Sequence, residues 1–218
     1  VEEQRLLHFL IKQKGYSETL AKKAVDKFLL NCNNLSDGLY ESNRKVYKNL
    51  RYGVNVREEL GENKENVQLI DWQNPEKNDF AFAEEVSFQG KNNKRPDLVF
   101  YVNGIALGVL ELKRSKVSLS EGIRQNLDNQ SEEFIPRLFT TMQLVLAGSD
   151  AEGLRYGTTG TTEKFYLKWK EKAEKSFDYS LDLHLSQLCR KDRFLELIRD
   201  FIVFDSGVKK ICRPNQYF

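Results

Sequence analysis

Apolar residues recur at a helical spacing in the amino-terminal part of the chain. Leucines and isoleucines three and four residues apart predict a first helix that ends at Gly15. Ser17 is a typical N-cap, and the apolar positions after it predict a second helix. The turn-rich segment 31–38 ends this helical pair. We therefore expect residues 1–35 to form a helical amino-terminal part.

In the centre of the chain the pattern changes to that of β-strands. Residues 67–88 predict strand structure interrupted at 74–78, and residues 96–112 predict an apolar hairpin around an Asn-Gly turn. A helix is predicted over 119–130, followed by a buried strand over 142–148.

Shorter apolar runs follow in the carboxy-terminal third. They predict a strand around 154–158, a strand or loop at 165–169, and a helix over about 187–200 that leads into a strand at 201–204. Strands alternate with helices, but the central pair is a hairpin and is therefore antiparallel. We expect an α/β fold with a mixed central sheet flanked by helices.

Composition narrows the class of protein. The chain has 218 residues, enough for one domain with a full core, and its 30% charged and 40% hydrophobic residues are typical of a soluble globular protein. Its net charge of +2 gives no overall basic field, so a nucleic-acid site has to be a local patch. No apolar run approaches the roughly 20 residues of a membrane span. We expect a cytoplasmic protein without a membrane partner.

Cysteines and histidines offer little chemistry. Cys32, Cys189 and Cys212 are odd in number and far apart, which favours free thiols over a disulfide or a zinc site. His8 and His184 are the only histidines, and neither has a clustered partner. We interpret both as structural or surface residues, and a histidine-based hydrolase is not expected.

Three charged residues mark the open end of the predicted hairpin. Asp97 precedes its first strand, while Glu111 and Lys113 end its second strand, two residues apart and therefore on one face. Carboxylates are hard oxygen ligands that suit Mg²⁺, and the backbone carbonyl of Leu112 can join them while its side chain points into the core. Lys113 is placed to orient an attacking water or to stabilise developing charge. The pattern predicts hydrolysis of a phosphodiester.

The register of the hairpin decides whether the two carboxylates meet. A regular two-residue Asn-Gly turn would put Asp97 and Glu111 on opposite faces of the sheet. We therefore predict a three-residue loop over 102–104 with Gly104 left-handed, or a bulge elsewhere in the hairpin.

The segment RPDLVFYVNGIALGVLELK (95–113) resembles the PD-(D/E)xK nuclease motif as it occurs in the restriction, or motor, subunit of type I restriction enzymes. LIDWQNPEKNDFAF (69–82), IPRLFTTMQLVLAG (135–148) and the tail at 195–218 are similar to further segments of that family. The resemblance covers most of the chain. It implies a restriction-endonuclease-like fold with extra amino-terminal helices.

The same resemblance implies roles for individual residues. Asp97 and Glu111 would be catalytic ligands of Mg²⁺, and Lys113 would handle water or charge. Gln125 matches the glutamine of the family's Q-x-x-x-Y helix motif and would position DNA or Lys113. The fifth position of that motif is Asn129 rather than Tyr, so we assign no role to it.

Further residues near the motif are candidates for contacts with metal or DNA. Glu84 or Glu85 could supply another carboxylate from the neighbouring strand, but strand alternation does not decide which one faces the site. The basic residues around the motif form a candidate phosphate-contacting patch: Lys91, Lys94, Arg95, Arg114, Lys116 and Arg124.

No G-x-x-x-x-G-K-[ST] sequence is present, so we expect no ATP motor in this chain. By the resemblance, residues 1–218 are the nuclease fragment of a longer R subunit, whose motor uses ATP to translocate double-stranded DNA and trigger the cut. Methyltransferase (M) and specificity (S) subunits, with S-adenosylmethionine, would belong to the assembled enzyme. Two alternatives remain open: a repair or recombination nuclease of the same superfamily, and a nuclease-like coupling or docking module that does not cleave.

Overall fold

Helices form the amino-terminal part of the molecule. The computed structural model of the chain describes every residue except 173–175. Helix α1 (Glu3–His8) continues into a π-helical turn at Phe9–Gln13, and α2 (Glu18–Asn33) and α3 (Gly38–Tyr52) follow. Their apolar faces bury leucine, valine and phenylalanine side chains in the main core.

The sequence signals explain two of these helices and miss the third. Gly15 has a φ of 74° where the first helical segment ends, and the Ser17 hydroxyl accepts a hydrogen bond from the Leu20 amide, as expected of an N-cap. Helix α3 was not predicted. Polar residues predominate along its length, and its buried face includes the amide of Asn43 beside apolar residues such as Val46, so it lacks the dense apolar positions that predicted the first two helices.

A small hairpin and a long connection separate the helices from the sheet. Strands β1 (Val54–Val56) and β2 (Glu65–Val67) pair antiparallel. Of the strand structure predicted over 67–88, residues 68–73 form no strand and the second part ends at residue 84, while the predicted break at 74–78 is confirmed. There the side chain of Asn78 bonds the backbone of Asp71, accepting from its amide and donating to its carbonyl, both at 2.8 Å. These bonds satisfy the backbone without a strand partner.

The central sheet has the strand order β3-β4-β5-β6-β7-β8 within the described residues. Its β5 and β6 strands run parallel, and the other neighbours are antiparallel, so the mixed sheet is confirmed. The strands are β3 (Phe80–Glu84), β4 (Leu98–Val102), β5 (Ile105–Leu112), β6 (Leu144–Ser149), β7 (Gly153–Gly157) and β8 (Leu167–Lys168).

Helices cover both faces of this sheet. On one face lie α4 (Leu119–Asn129) and α5 (Pro136–Phe139), which pack against Val109 and Val145. The amino-terminal helices cover the other face together with two later helices, α6 (Ser180–Leu188) and α7 (Lys191–Asp200).

The carboxy-terminal segment differs from its prediction in one respect. The helix expected over about 187–200 is α7, but it begins later than predicted, because the chain breaks after α6 where Arg190 adopts an extended ψ of 137°. Strands β9 (Ile202–Asp205) and β10 (Val208–Ile211) form a hairpin that precedes α8 (Pro214–Tyr217).

The cysteines are free thiols, as predicted. His184 is structural, because its Nδ1 accepts a hydrogen bond of 3.1 Å from the Leu154 amide, and His8 is exposed on α1. Among the described residues, no helix is long and apolar enough to cross a membrane.

Candidate active site

The turn and the bulge of the β4–β5 hairpin set the geometry of the site. Asn103 and Gly104 both have positive φ, 51° and 79°, and form a two-residue turn, so the predicted three-residue loop is wrong. The alternative, a bulge elsewhere in the hairpin, is confirmed. Phe100 pairs with Gly108 while Tyr101 pairs with Ala106, which leaves one extra residue in β5.

This extra residue brings the two carboxylates to one face. Leu98 pairs with Leu110, so Asp97, which directly precedes β4, lies opposite Glu111. Both belong to the face that α4 covers. The Leu112 amide donates to Asp97 Oδ2 at 2.7 Å and fixes that carboxylate against the end of β5. The prediction that the Leu112 side chain lies in the core is wrong, because it is 37% exposed at the end of its strand.

Glu111 is a fully buried acid. Burial, and next the nearby Asp97 carboxylate, raise the pKa of Glu111 to about 8, and the ammonium of Lys113 only partly offsets these effects. A buried acid beside a second acid is costly to ionise, so the fold holds Glu111 in a place where a bound cation would stabilise its charged form.

Amide side chains of α4 hold Glu111 from above the sheet. Gln125 Nε2 donates to Glu111 Oε2 at 2.6 Å, and Asn129 Nδ2 donates to Glu111 Oε1 at 3.2 Å. Helix α4 approaches the sheet closely here because Gly122 has no side chain: a Cβ on it would lie 3.3 Å from both Ala147 Cβ and Lys113 Cγ. No role was predicted for Asn129, which lies one turn after Gln125 on the same face of α4.

Lys113 contacts α4 rather than the acids. Its ammonium donates to Gln125 Oε1 at 2.5 Å, and within the described part of the chain it makes no ion pair with Asp97 or Glu111. Gln125 therefore bridges the lysine and the buried acid. This arrangement keeps the positive charge beside the two carboxylates without neutralising either of them.

The donor set fits a hard divalent cation. Two carboxylates face each other at the end of β4 and β5, and carboxylate oxygens are the ligands that Mg²⁺ prefers. Among the described residues, no cluster of three or more histidine, cysteine, aspartate or glutamate side chains forms a metal site. Such a site would therefore rely on Asp97 and Glu111 and would be completed by other oxygens, as is usual for Mg²⁺.

Neither of the neighbouring glutamates points into this cluster. Glu84 pairs with Leu98, so it lies on the sheet face opposite to that of Asp97. Glu85 follows the strand with a φ of 52° and forms an exposed ion pair with Arg95 at 3.3 Å.

The six candidate phosphate contacts fall into two groups. Lys91, Arg95 and Arg124 are each paired with an acid, and the Lys94 ammonium lies 4.0 Å from the centre of the Phe134 ring. Arg114 and Lys116 are exposed on the connection between β5 and α4, and neither makes an ion pair among the described residues. Their role in binding DNA stays a prediction.

Comparison with known proteins places this geometry in a family. The family described as "Type I restriction enzyme R protein N terminus" matches residues 2–165 of the chain. The chain belongs to this family. The match includes the β4–β5 hairpin, α4 and both carboxylates.

Several relatives named as endonuclease subunits of type I restriction enzymes are also similar over most of the chain. The "Type I restriction enzyme HindI endonuclease subunit" of Haemophilus influenzae is 31% identical over 218 residues, covering 91% of this chain and 20% of the relative. The "Putative type I restriction enzyme MjaVIIIP endonuclease subunit" of Methanocaldococcus jannaschii is 35% identical over 163 residues, covering 70% of this chain and 15% of the relative. The chain thus spans about a fifth or less of the length of these two curated relatives.

Proposed function

We propose that this R-protein amino-terminal region is a Mg²⁺-dependent endonuclease domain that hydrolyses phosphodiester bonds of double-stranded DNA. The observation that carries the proposal is the opposition of Asp97 and Glu111 on one face of the sheet, with Lys113 and Gln125 beside them. The names of the relatives, which are endonuclease subunits, support the same class of reaction.

Asp97 and Glu111 would hold the metal ion, with the Leu112 carbonyl as a further oxygen ligand. When bound, Mg²⁺ supplies Lewis acidity at the phosphate and favours deprotonation of water. Burial of Glu111 beside Asp97 supports this assignment, because neither carboxylate has an ion-pair partner among the described residues.

Lys113 and Gln125 would act on the reacting groups. The Lys113 ammonium is placed to orient the attacking water and to stabilise charge that develops on the phosphate. Gln125 accepts from that ammonium and donates to Glu111, so it fixes the distance between the charged groups. A fixed distance between Lys113 and Glu111 is needed to hold a water and a phosphate in the geometry for reaction.

The surroundings of the site suit a DNA backbone. Arg114 and Lys116 follow β5 directly and are exposed, so both can reach phosphates without giving up an acid partner among the described residues. In the whole protein we propose that ATP-driven translocation of DNA precedes the cut, in a complex with M and S subunits whose methylation uses S-adenosylmethionine.

The test is Lys113→Ala in the full-length protein assembled with its M and S subunits. DNA cleavage and DNA-stimulated ATP hydrolysis are followed in the same sample. We expect cleavage to fall by about 10²- to 10⁴-fold, the usual contribution of a positioned acid or base, while ATP hydrolysis continues. Lys48→Ala, an exposed lysine on α3, is the matched control and should cleave like the wild type.

The other outcomes separate the competing functions. Retained cleavage in Lys113→Ala would place the nuclease site elsewhere and leave this region as a coupling or docking module. Cleavage of any DNA end without M and S subunits or ATP would favour a repair or recombination nuclease.

A further inference from the structure

Two buried asparagines on α4 differ in what they hold. Asn126 and Asn129 are both fully buried, and in each the Oδ1 atom has no hydrogen-bond partner among the described residues. Asn126 Nδ2 donates to the Leu146 carbonyl at 2.8 Å, a bond from helix to sheet backbone. Asn129 Nδ2 instead donates to Glu111 Oε1 at 3.2 Å.

The bond of Asn129 completes the restraint of Glu111. Gln125 holds one carboxylate oxygen and Asn129 holds the other, so the plane of the carboxylate cannot rotate without breaking one of the two bonds. Gln125 is half-buried and also accepts a hydrogen bond from Lys113, so its side chain contacts both Glu111 and Lys113. Within the described residues, the side chain of Asn129 hydrogen-bonds only to Glu111.

What distinguishes Asn129 from a structural asparagine is the group that its amide donates to. Both asparagines leave one buried polar atom without a partner among the described residues, which destabilises the fold, so the unpaired Oδ1 does not separate them. The carbonyl of β6 that Asn126 binds is part of the scaffold, whereas Glu111 belongs to the candidate metal site.

We propose that Asn129 is a positioning residue that orients the Glu111 carboxylate for binding of the divalent cation. This inference rests on the proposed function, because it presupposes that Glu111 is a metal ligand. Asn129 acts through Glu111 and does not touch the metal or the DNA itself. Its loss should weaken metal binding more than it slows cleavage at saturating metal.

The experiment measures Mn²⁺ binding to the nucleotide-free full-length protein, with Asp97→Ala as the blank that removes the site. Asn129→Leu keeps the branched shape and the number of heavy atoms of the side chain and removes the donor, and Asn129→Ala is the second variant in case the larger leucine disturbs folding. Asn126→Leu and Asn126→Ala are the matched controls on the same helix. Thermal unfolding of each variant is recorded in parallel.

We expect Asn129→Leu to raise the Kd for Mn²⁺ by at least about tenfold, the usual effect of removing a partner of a metal ligand. The metal concentration at half-maximal cleavage should rise by the same factor, with the rate at saturating Mn²⁺ within about threefold of wild type. The Asn126 variants should lower the melting temperature without changing the Kd. A Kd unchanged in both Asn129 variants, with a melting temperature lowered as in the controls, would overturn the positioning role.

Glu111→Ala in the same series tells the two proposals apart. If it binds Mn²⁺ like the wild type, the metal site itself is wrong and the proposed function fails. If it loses Mn²⁺ while both Asn129 variants keep it, the metal site stands and only the positioning role of Asn129 is rejected.

Discussion

The two ends of the β4–β5 hairpin each bury an asparagine, but they treat it in opposite ways. At the turn, Asn103 Oδ1 accepts from the Asp79 amide, and its Nδ2 donates to Leu69 and Asn78, all between 2.8 and 3.0 Å. At the open end, Asn129 faces Glu111 and leaves Oδ1 without a partner among the described residues. The polar side-chain atoms of Asn103 all have hydrogen-bond partners, whereas one polar atom of Asn129 has none among the described residues.

This difference separates scaffold from candidate function. Full satisfaction of a buried polar side chain stabilises a unique backbone, here a turn with two residues at positive φ. A buried acid with a raised pKa and incompletely paired neighbours destabilises the free protein, and such sites occur where a ligand is to be bound. The turn of the hairpin is therefore held by side-chain hydrogen bonds, while its open end has the features expected of the proposed metal site.

The largest expected effect is the loss of cleavage when Asp97, at the open end of the hairpin, is replaced. Replacing Asp97 with Ala should reduce cleavage by at least about 10³-fold, because one of two carboxylate ligands is lost. The free energy of unfolding should change by less than about 1 kcal/mol, since Asp97 is only half-buried. Gel assays of cleavage and chemical denaturation measure the two quantities. A large loss of stability would mean that Asp97 belongs to the scaffold.

A second prediction concerns the stability cost of Glu111. The pKa of Glu111 in the folded protein, about 8, lies above its ordinary value of 4.5, so the fold favours the protonated acid. The stability that goes with the protonated acid is fully present below pH 4.5 and is lost as the pH rises through about 8. Glu111→Gln removes this loss and should raise the free energy of unfolding at pH 8 by roughly 2–4 kcal/mol in metal-free buffer, while cleavage is abolished. Denaturation curves at pH 5 and pH 8 test it. Equal curves for both proteins would contradict the raised pKa.

A substitution at the turn of the hairpin should lower stability and leave metal binding unchanged. Asn103→Ala removes three side-chain hydrogen bonds and places Ala at a φ of 51°, so we expect the free energy of unfolding to fall by about 2–3 kcal/mol. The Mn²⁺ affinity of the protein that remains folded should not change. Calorimetry on the variant at low temperature checks this, and a weakened affinity would show that the two ends are coupled.

The smallest expected effect is on DNA binding by the basic residues near the open end of the hairpin. Arg114→Ala should weaken DNA binding about two- to tenfold and lower the salt dependence by about one phosphate contact. Lys91→Ala should have little effect, because Lys91 already pairs with Glu133 at 2.5 Å. Binding isotherms at two salt concentrations compare the variants. Equal losses in both would make the patch a general charge effect.

The sequence predicted the elements whose signals are local. Ser17 caps α2, the buried strand after residue 142 is β6, and the hairpin parity required a bulge. The failures arose where tertiary contacts override local preference. Asn78 holds the 68–79 connection through side-chain bonds, and the apolar face of α3 includes the buried amide of Asn43.

The sequence allowed us to predict which residues lie at the candidate site, but not which hydrogen bonds they make there. Spacing places Glu111 and Lys113 on one face, but it does not say that Gln125 bridges them or that Asn129 reaches the acid. Those contacts depend on how closely α4 approaches the sheet, which Gly122 permits. A helix-to-strand distance is a property of packing and has no signature in a single sequence.

The bulge between Phe100 and Tyr101 limits how this hairpin can change during evolution. The bulge leaves Leu107 unpaired between Ala106 and Gly108, so deleting Leu107 would keep every other pair of the hairpin, including Asp97 opposite Glu111. Inserting one residue between Gly108 and Glu111 without a further bulge would instead turn Glu111 to the far side of the sheet. Length changes in this hairpin should therefore persist among descendants only where Asp97 still pairs with Glu111.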